Sequence, residues 1–239
     1  MTDVLRVGFR GLAVLGAVFA STIAGNAAIL GNLNINGTAT VSMTTIDFLP
    51  LLGGTGGFTV TSGNGSFASL SPNTGTIKDL DSSVQQVGQP LNEPNFVVLA
   101  GLPNMQLTLT FIQPGTFSSA LCAAPPAAGQ TCTPSIPGGS PFNLLNGTAT
   151  SSTASFGVLV QALDTNTGEI TTGTGTFTTP FSVPYQTILN TLANNGSVDD
   201  NPYSATFTLD TIVPEPATVT MGALGLGLIV LGAIRRKRV

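Results

Sequence analysis

The chain has 239 residues, 42% of them hydrophobic and only 8% charged, with a formal net charge of −4 and no histidine. That length holds one sizeable core or two small ones, and the charged fraction lies far below the roughly 25% of an average soluble domain. The lack of histidine excludes a Ser-His-Asp triad and a His-ligated metal site, so no metal, no cofactor and no catalysis are expected. The charges are also partitioned. Between residues 29 and 213 the only base is Lys78, set against nine acids, which leaves that body at −8. A body of this sign repels phosphate backbones, so nucleic acid is excluded as a partner.

The first segment, MTDVLRVGFRGLAVLGAVFASTIAGNAA, places Arg6 and Arg10 before an apolar run over about residues 12–23, followed by small residues. This is the order of a secretory signal peptide. Residues 1–28 are therefore expected to form a signal helix, cut by signal peptidase after Ala27 or Ala28. An anchor that is never cut is the alternative, and the shortness of the run argues against it.

Residues 29–210 read as one all-β extracytoplasmic domain. ATVSM aligns Val41 with Met43, and GFTV aligns Phe58 with Val60. MQLTLTFIQ puts Leu107, Leu109 and Phe111 on one face, with Thr108 and Thr110 on the other. ASFGVLVQAL groups Phe156, Val158 and Val160; GTFTTPFSV groups Phe177, Phe181 and Val183; ATFTLDTI groups Phe207 and Leu209. A period of two marks strands with one buried face. Gly and Pro clusters at short spacing between them predict an antiparallel β-sandwich, jelly-roll-like, with one short helix. That helix is PYQTILNTLANNGS, at about residues 185–194. Pro184 opens it, Ile188, Leu189 and Leu192 take helical spacing, and Asn195-Gly196 stops it.

Cys122 and Cys132 flank AAPPAAGQT. In an exported chain such a pair reads as a disulfide, here pinning a long loop, about residues 120–141, between two sheets. Four Asn-Gly-Thr/Ser sites, at Asn36, Asn64, Asn146 and Asn195, read as tight turns rather than glycan acceptors. DTNTGE, residues 164–169, lacks the fifth-position oxygen ligand and the distal glutamate of a calcium loop, and reads as a hairpin turn.

Little chemistry remains. Glu93 and Glu169 are the only glutamates of the body and could form a carboxylate pair in a carbohydrate-active enzyme. Lys78 is the single candidate for Ser-Lys chemistry, and the Gly-rich LLGGTGG lacks the lysine of a phosphate loop. Thr-rich runs such as TTGTGTFTT raise ice or surface adhesion as a further reading, although no fixed solenoid repeat is present. The polar, weakly charged surface suits hydrogen bonding to sugars. The absence of Trp and the presence of only Tyr185 and Tyr203 argue against a strong stacking lectin site.

The tail, residues 211–239, has three parts. Pro214, Glu215 and Pro216 form a rigid extended element around one charge. Residues 217–234 are an uncharged run, about 27 Å long as a helix and near the lower limit for crossing a bilayer. Arg235, Arg236, Lys237 and Arg238 follow it, and their charge holds that end in the cytoplasm and the body outside. The succession Val213-Pro214-Glu215-Pro216-Ala217-Thr218, a Gly/Leu-rich span and a basic end closely resembles the PEP-CTERM sorting signal of bacterial envelope proteins. That resemblance implies processing near the Pro-Glu-Pro by an exosortase, a membrane-embedded thiol peptidase. It also implies a Gram-negative, often exopolysaccharide-producing host, and the same tail is sometimes labelled as an ice-binding protein C-terminal domain. A tail that is never cut and simply anchors the protein is the alternative. Through PNFVVL, LTFIQPGTFSSALC, QTCTPSIPGGSPFNLLN and STASFGV the body also resembles uncharacterised proteins sharing this tail. The expectation is an exported protein, anchored in the inner membrane before sorting and then placed at the cell surface or in the matrix, in contact with exopolysaccharide.

Overall fold

The computed structural model describes residues 28–50 and 52–210. The expected signal helix and the C-terminal membrane helix lie outside the described residues. Twelve strands and one helix follow in order: β1 (Gly31–Ser42), β2 (Thr45–Leu49), β3 (Thr55–Gly63), β4 (Thr74–Lys78), β5 (Leu80–Asp81), β6 (Pro90–Leu99), β7 (Met105–Ile112), β8 (Thr131–Cys132), β9 (Asn143–Thr148), β10 (Ser151–Asp164), β11 (Ile170–Phe181), α1 (Tyr185–Asn195) and β12 (Ser197–Asp210). All pairings are antiparallel.

The all-β expectation is met, but the sandwich is not. Eight strands follow one another around a single sheet, β1-β3-β4-β6-β7-β10-β11-β12, and β12 returns to pair with β1. The result is a closed barrel rather than two facing sheets. The reason is the long β10–β11 and β1–β12 ladders, which leave none of these eight strands with a free edge. β2 and β5 extend from β1 at one mouth, and β9 and β8 extend from the first half of β10. The disulfide loop accordingly links β7 to β9 within one sheet system; it does not bridge two sheets.

Inward side chains fill the interior. Leu33, Ile35, Val60, Ile77, Leu107, Leu109, Val158, Val160, Phe207 and Leu209 are all buried. The outer faces of β11, β12 and β1 carry Thr, Ser and Asn instead, the reverse of a lipid-facing barrel. Phe177 is the centre of the packing. Phe156 stacks on it at 4.6 Å, Phe207 meets it edge-on at 5.7 Å, and Phe48, Phe96 and Tyr203 lie within 6.4 Å of its ring centre. Tyr203 lies flat across Gly37, its partner on β1; a Cβ at Gly37 would come within 2.7 Å of the tyrosine ring.

Two local readings change. Phe111 was expected beside Leu107 and Leu109, but a register shift between Leu159 and Val160 inserts an extra residue in β7, so Ile112 turns inward in its place. Of the Asn-Gly sites, Gly65 and Gly196 adopt the left-handed backbone of a turn, at φ 56° and 81°. Asn36-Gly37 and Asn146-Gly147 instead lie within β1 and β9. The expected helix is present, preceded by Pro184 and closed by Gly196, whose N–H donates to the Leu192 carbonyl.

Phe177→Ala removes the ring on which five others converge and should cost about 3–5 kcal/mol of stability. Urea unfolding followed by circular dichroism measures this; a loss below about 1 kcal/mol would remove Phe177 from the centre of the core.

Candidate functional site

The structure does not bring Glu93 and Glu169 together. Glu93, on β6, lies opposite Leu109 of β7, which lies opposite Val160 of β10. Glu169 lies beyond the end of β10, its carbonyl accepting from the Asp164 N–H. Four residues of strand, about 13 Å, separate those levels, whereas paired glycosidase carboxylates stand about 5–9.5 Å apart. Glu93 instead forms an ion pair with Lys78 and accepts from Gln85 Nε2 at 3.0 Å. Gln85, itself buried, accepts from the Asp81 N–H. Lys78, the one base available for Ser-Lys chemistry, therefore faces a carboxylate and not a serine. Burial pushes the Glu93 carboxyl up, but hydrogen bonds from Lys78 and Gln85, with the Lys78 charge, outweigh it and hold the group below the usual glutamate range. Nearby, burial holds the Asp79 carboxyl above its usual range, although the Phe48 N–H donates to it at 2.7 Å; Asp47 adds a smaller upward push.

The DTNTGE segment is the β10–β11 hairpin turn. Asp164 accepts from the Asn166 N–H at 2.8 Å, and the Gly168 N–H donates to the Asp164 carbonyl.

Cys122 and Cys132 are joined as a disulfide, with Cα atoms 5.2 Å apart. The bridge packs in a small second core with Leu144 and Tyr185. Sequence reading missed the residue that organises it. Asn146 is fully buried on β9; its Oδ1 accepts from the Tyr185 N–H at the start of α1, and its Nδ2 donates to Gln186 at 3.0 Å. Gln186 in turn donates to Gln130 inside the disulfide loop, and the Tyr185 hydroxyl donates to the Leu121 carbonyl. Loop, helix and strand are thus tied by one amide that the sequence presents only as an Asn-Gly-Thr triplet.

A second feature emerges only from the strand register. Ser155, Thr178, Ser204, Asn36, Thr59 and Thr74 are successive cross-strand partners on β10, β11, β12, β1, β3 and β4. This rung of hydroxyls and one amide contains no charge and crosses six of the eight barrel strands, at about 4.8 Å per strand. A parallel chain of bonds lies one rung away, where Thr206 donates to Asn34 at 2.7 Å and Asn34 donates to Ser62 at 2.9 Å. The Thr-rich strand considered for ice adhesion, β11, pairs without a register shift with β10 and β12, but the face it belongs to curves around a barrel, with shifts where β1 meets β12 and β3. A lattice match requires a flat array, which this face does not offer.

The described residues thus define a closed eight-stranded antiparallel barrel with an apolar interior and a hydroxyl-rich, weakly charged outer wall. Residues 213–238 match the PEP-CTERM protein-sorting motif, so the chain carries the signal of an exported protein that an exosortase sorts at a membrane. Pro214, Glu215, Pro216, Arg235, Arg236, Lys237 and Arg238 all fall inside that match and outside the described residues. No curated protein and no solved structure matches the chain. Among the described residues, no helix is long and apolar enough to cross a membrane.

Replacing Cys122 and Cys132 with serine should lower stability by about 2–3 kcal/mol and open the 120–132 loop to proteolysis, read by denaturant titration and limited digestion. Unchanged stability would make the bridge incidental. For Glu93 the sign is set by its lowered pKa: its contribution is complete above the unfolded value of about 4.3 and is lost as pH falls through the folded value. Asp79, raised by folding, acts in the opposite sense, its penalty being relieved as pH falls. Glu93→Gln should therefore flatten the acid limb of stability below about pH 4.3, measured by thermal melts across that range; an acid limb as steep as that of the wild type would refute the assignment.

Proposed function

We propose that the protein is a non-catalytic component of the cell surface or extracellular matrix, delivered by exosortase processing and held in exopolysaccharide through its outer wall. The observation that carries the reading is the combination of the sorting motif at 213–238 with the uncharged hydroxyl rung around the barrel. Hydroxyl and amide groups act as donors and acceptors together and match the hydroxyls of sugars. The −8 body carries no cationic surface to hold a polyanion.

The geometry of the ends supports such a sequence of events. Gly31 pairs with Leu209, and Thr172 with Asp210, so the chain enters and leaves the barrel at one end. Pro214 follows Asp210 by four residues, a reach of at most about 14 Å. The cleavage element is therefore confined near that end, while the hydroxyl rung lies on the flank. In this reading Pro214 and Pro216 hold Glu215 in an extended segment that enters a protease cleft without unfolding. Residues 217–234 anchor the precursor in the inner membrane, with Arg235, Arg236, Lys237 and Arg238 on the cytoplasmic side. The carboxylate-enzyme alternative loses its support with the separation of Glu93 and Glu169.

Intact mass and peptide mapping of protein recovered from its native envelope test the reading. The expected product begins near Ile29, lacks the chain beyond the Pro-Glu-Pro, and has two hydrogens fewer through Cys122–Cys132. It should co-purify with exopolysaccharide. Glu215→Ala should leave the full-length precursor in the inner membrane. A wild-type chain that keeps its tail would make the segment a permanent anchor and overturn the processing step.

A further inference from the structure

Across the outside of β1, β3 and β4 runs an open groove of about 630 Å³. Asn36 and Thr38 of β1, Thr59 and Thr61 of β3 and Thr74 of β4 line it, and Leu49 and Pro50 form an apolar wall. No ionisable side chain lines it. Gly57 makes room for the concavity: a Cβ there would meet only Pro50, whose Cδ lies 3.3 Å away. Thr61 donates to the Asn34 carbonyl. The side chains of Asn36, Thr38, Thr59 and Thr74 make no hydrogen bond to another described residue and are free to bond outward. Asn36, Thr59 and Thr74 are neighbours on the same rung, which continues out of the groove to Ser204 and Thr178.

We propose that this groove is the seat of an extended neutral glycan chain; the assignment rests on the polysaccharide reading above and gives it a site and a ligand class. Three features select that occupant. First, the lining supplies donors and acceptors in a row but no charge, and the acidic body disfavours uronate-rich polymers. Second, the groove is wide and open, and its polar row continues along the barrel wall, so it encloses a compact small molecule poorly but runs beside a polymer. Third, protein interfaces are anchored by buried aromatics, methionine and arginine, whereas the accessible apolar contribution here is Leu49 and Pro50, enough to receive the C–H face of one sugar ring; Phe58 also borders the groove, but its side chain is buried in the core. With no aromatic stacking platform, binding by each repeat is weak, and retention comes from many copies of the protein along one polymer.

The test uses the full chain in detergent micelles, run in native gels cast with neutral glycans (dextran, mixed-linkage β-glucan, galactomannan), with alginate as the anionic comparison, or with the host exopolysaccharide. The expected result is retardation by at least one neutral glycan and none by alginate. Thr59→Glu and Gly57→Gln, which charge and fill the groove, should each weaken retardation about tenfold or more. Thr172→Ala, on the same wall outside the groove, should not. Circular dichroism melts establish that each variant is folded, and two different groove variants guard against the misfolding of one. Equal retardation of the groove variants and the wild type overturns the groove assignment, as does preference for alginate. Binding of host exopolysaccharide that is insensitive to both groove variants leaves the matrix reading standing and removes the groove. No retardation by any polysaccharide removes both.

Discussion

The ladder between β1 and β12 joins Gly31 to Leu209 at one end and Ser42 to Ser197 at the other. Everything else in the fold presupposes it. Without that seam the eight strands would form an open sheet with two long edges, and Leu33, Ile35, Phe207 and Leu209 would share their apolar face with water. With it, the interior is sealed around the ring of Phe177, and the outer wall needs no apolar residues. Small residues at the seam permit the closure. Gly37 leaves space for Tyr203 inside the barrel, and Ala205 sits between Tyr203 and Phe207 on the inward face of β12.

Polar bonding does the specific work outside the barrel. Beside α1, Asn146 holds a loop, a helix and a strand with a single amide, and the Cys122–Cys132 bridge fixes the loop that supplies Gln130, which accepts from both Asn146 and Gln186. At the flank, Lys78 neutralises Glu93 within a network completed by Gln85. The one base of the described residues is thus engaged in holding β4 to β6. The ladder rung from Ser155 to Thr74 carries no charged residue, so hydroxyl and amide groups set the character of that part of the wall.

Much of this was legible in the sequence. Alternation in residues 105–112, 154–163 and 205–210 marked strands, Ile188, Leu189 and Leu192 marked the helix, and a single pair of cysteines in an exported chain marked their bridge. Barrel and sandwich could not be told apart by that route. A strand with one buried face alternates identically in either, and the deciding fact, that β12 pairs with β1, depends on residues more than 150 positions apart. Phe111 was misplaced because a bulge is set by its partner strand and leaves no mark on local periodicity. Asn146 looked like a turn residue because Asn-Gly is usually one; its burial follows from the docking of α1. The row from Ser204 through Asn36 and Thr59 to Thr74 is likewise a product of register, assembled from four separate stretches that are unremarkable in isolation. The sorting motif was legible because its signal is linear: order and spacing along the chain are themselves the message.

The meeting of first and last strands also sets a clock. A chain that crosses a membrane from its N-terminus exposes β1 first, and for most of the crossing that strand has a bare hydrogen-bonding edge on the side where β12 will lie. Its partner arrives only with residues 197–210, immediately ahead of the sorting motif. Loops of that length close slowly, and their pairing dominates the folding time of β-rich domains. Until then the unfinished sheet keeps an open edge, a risk for edge-to-edge association with other copies. Because residues 197–210 lie immediately ahead of the motif at 213–238, the barrel can close only once nearly the whole chain up to that motif has emerged.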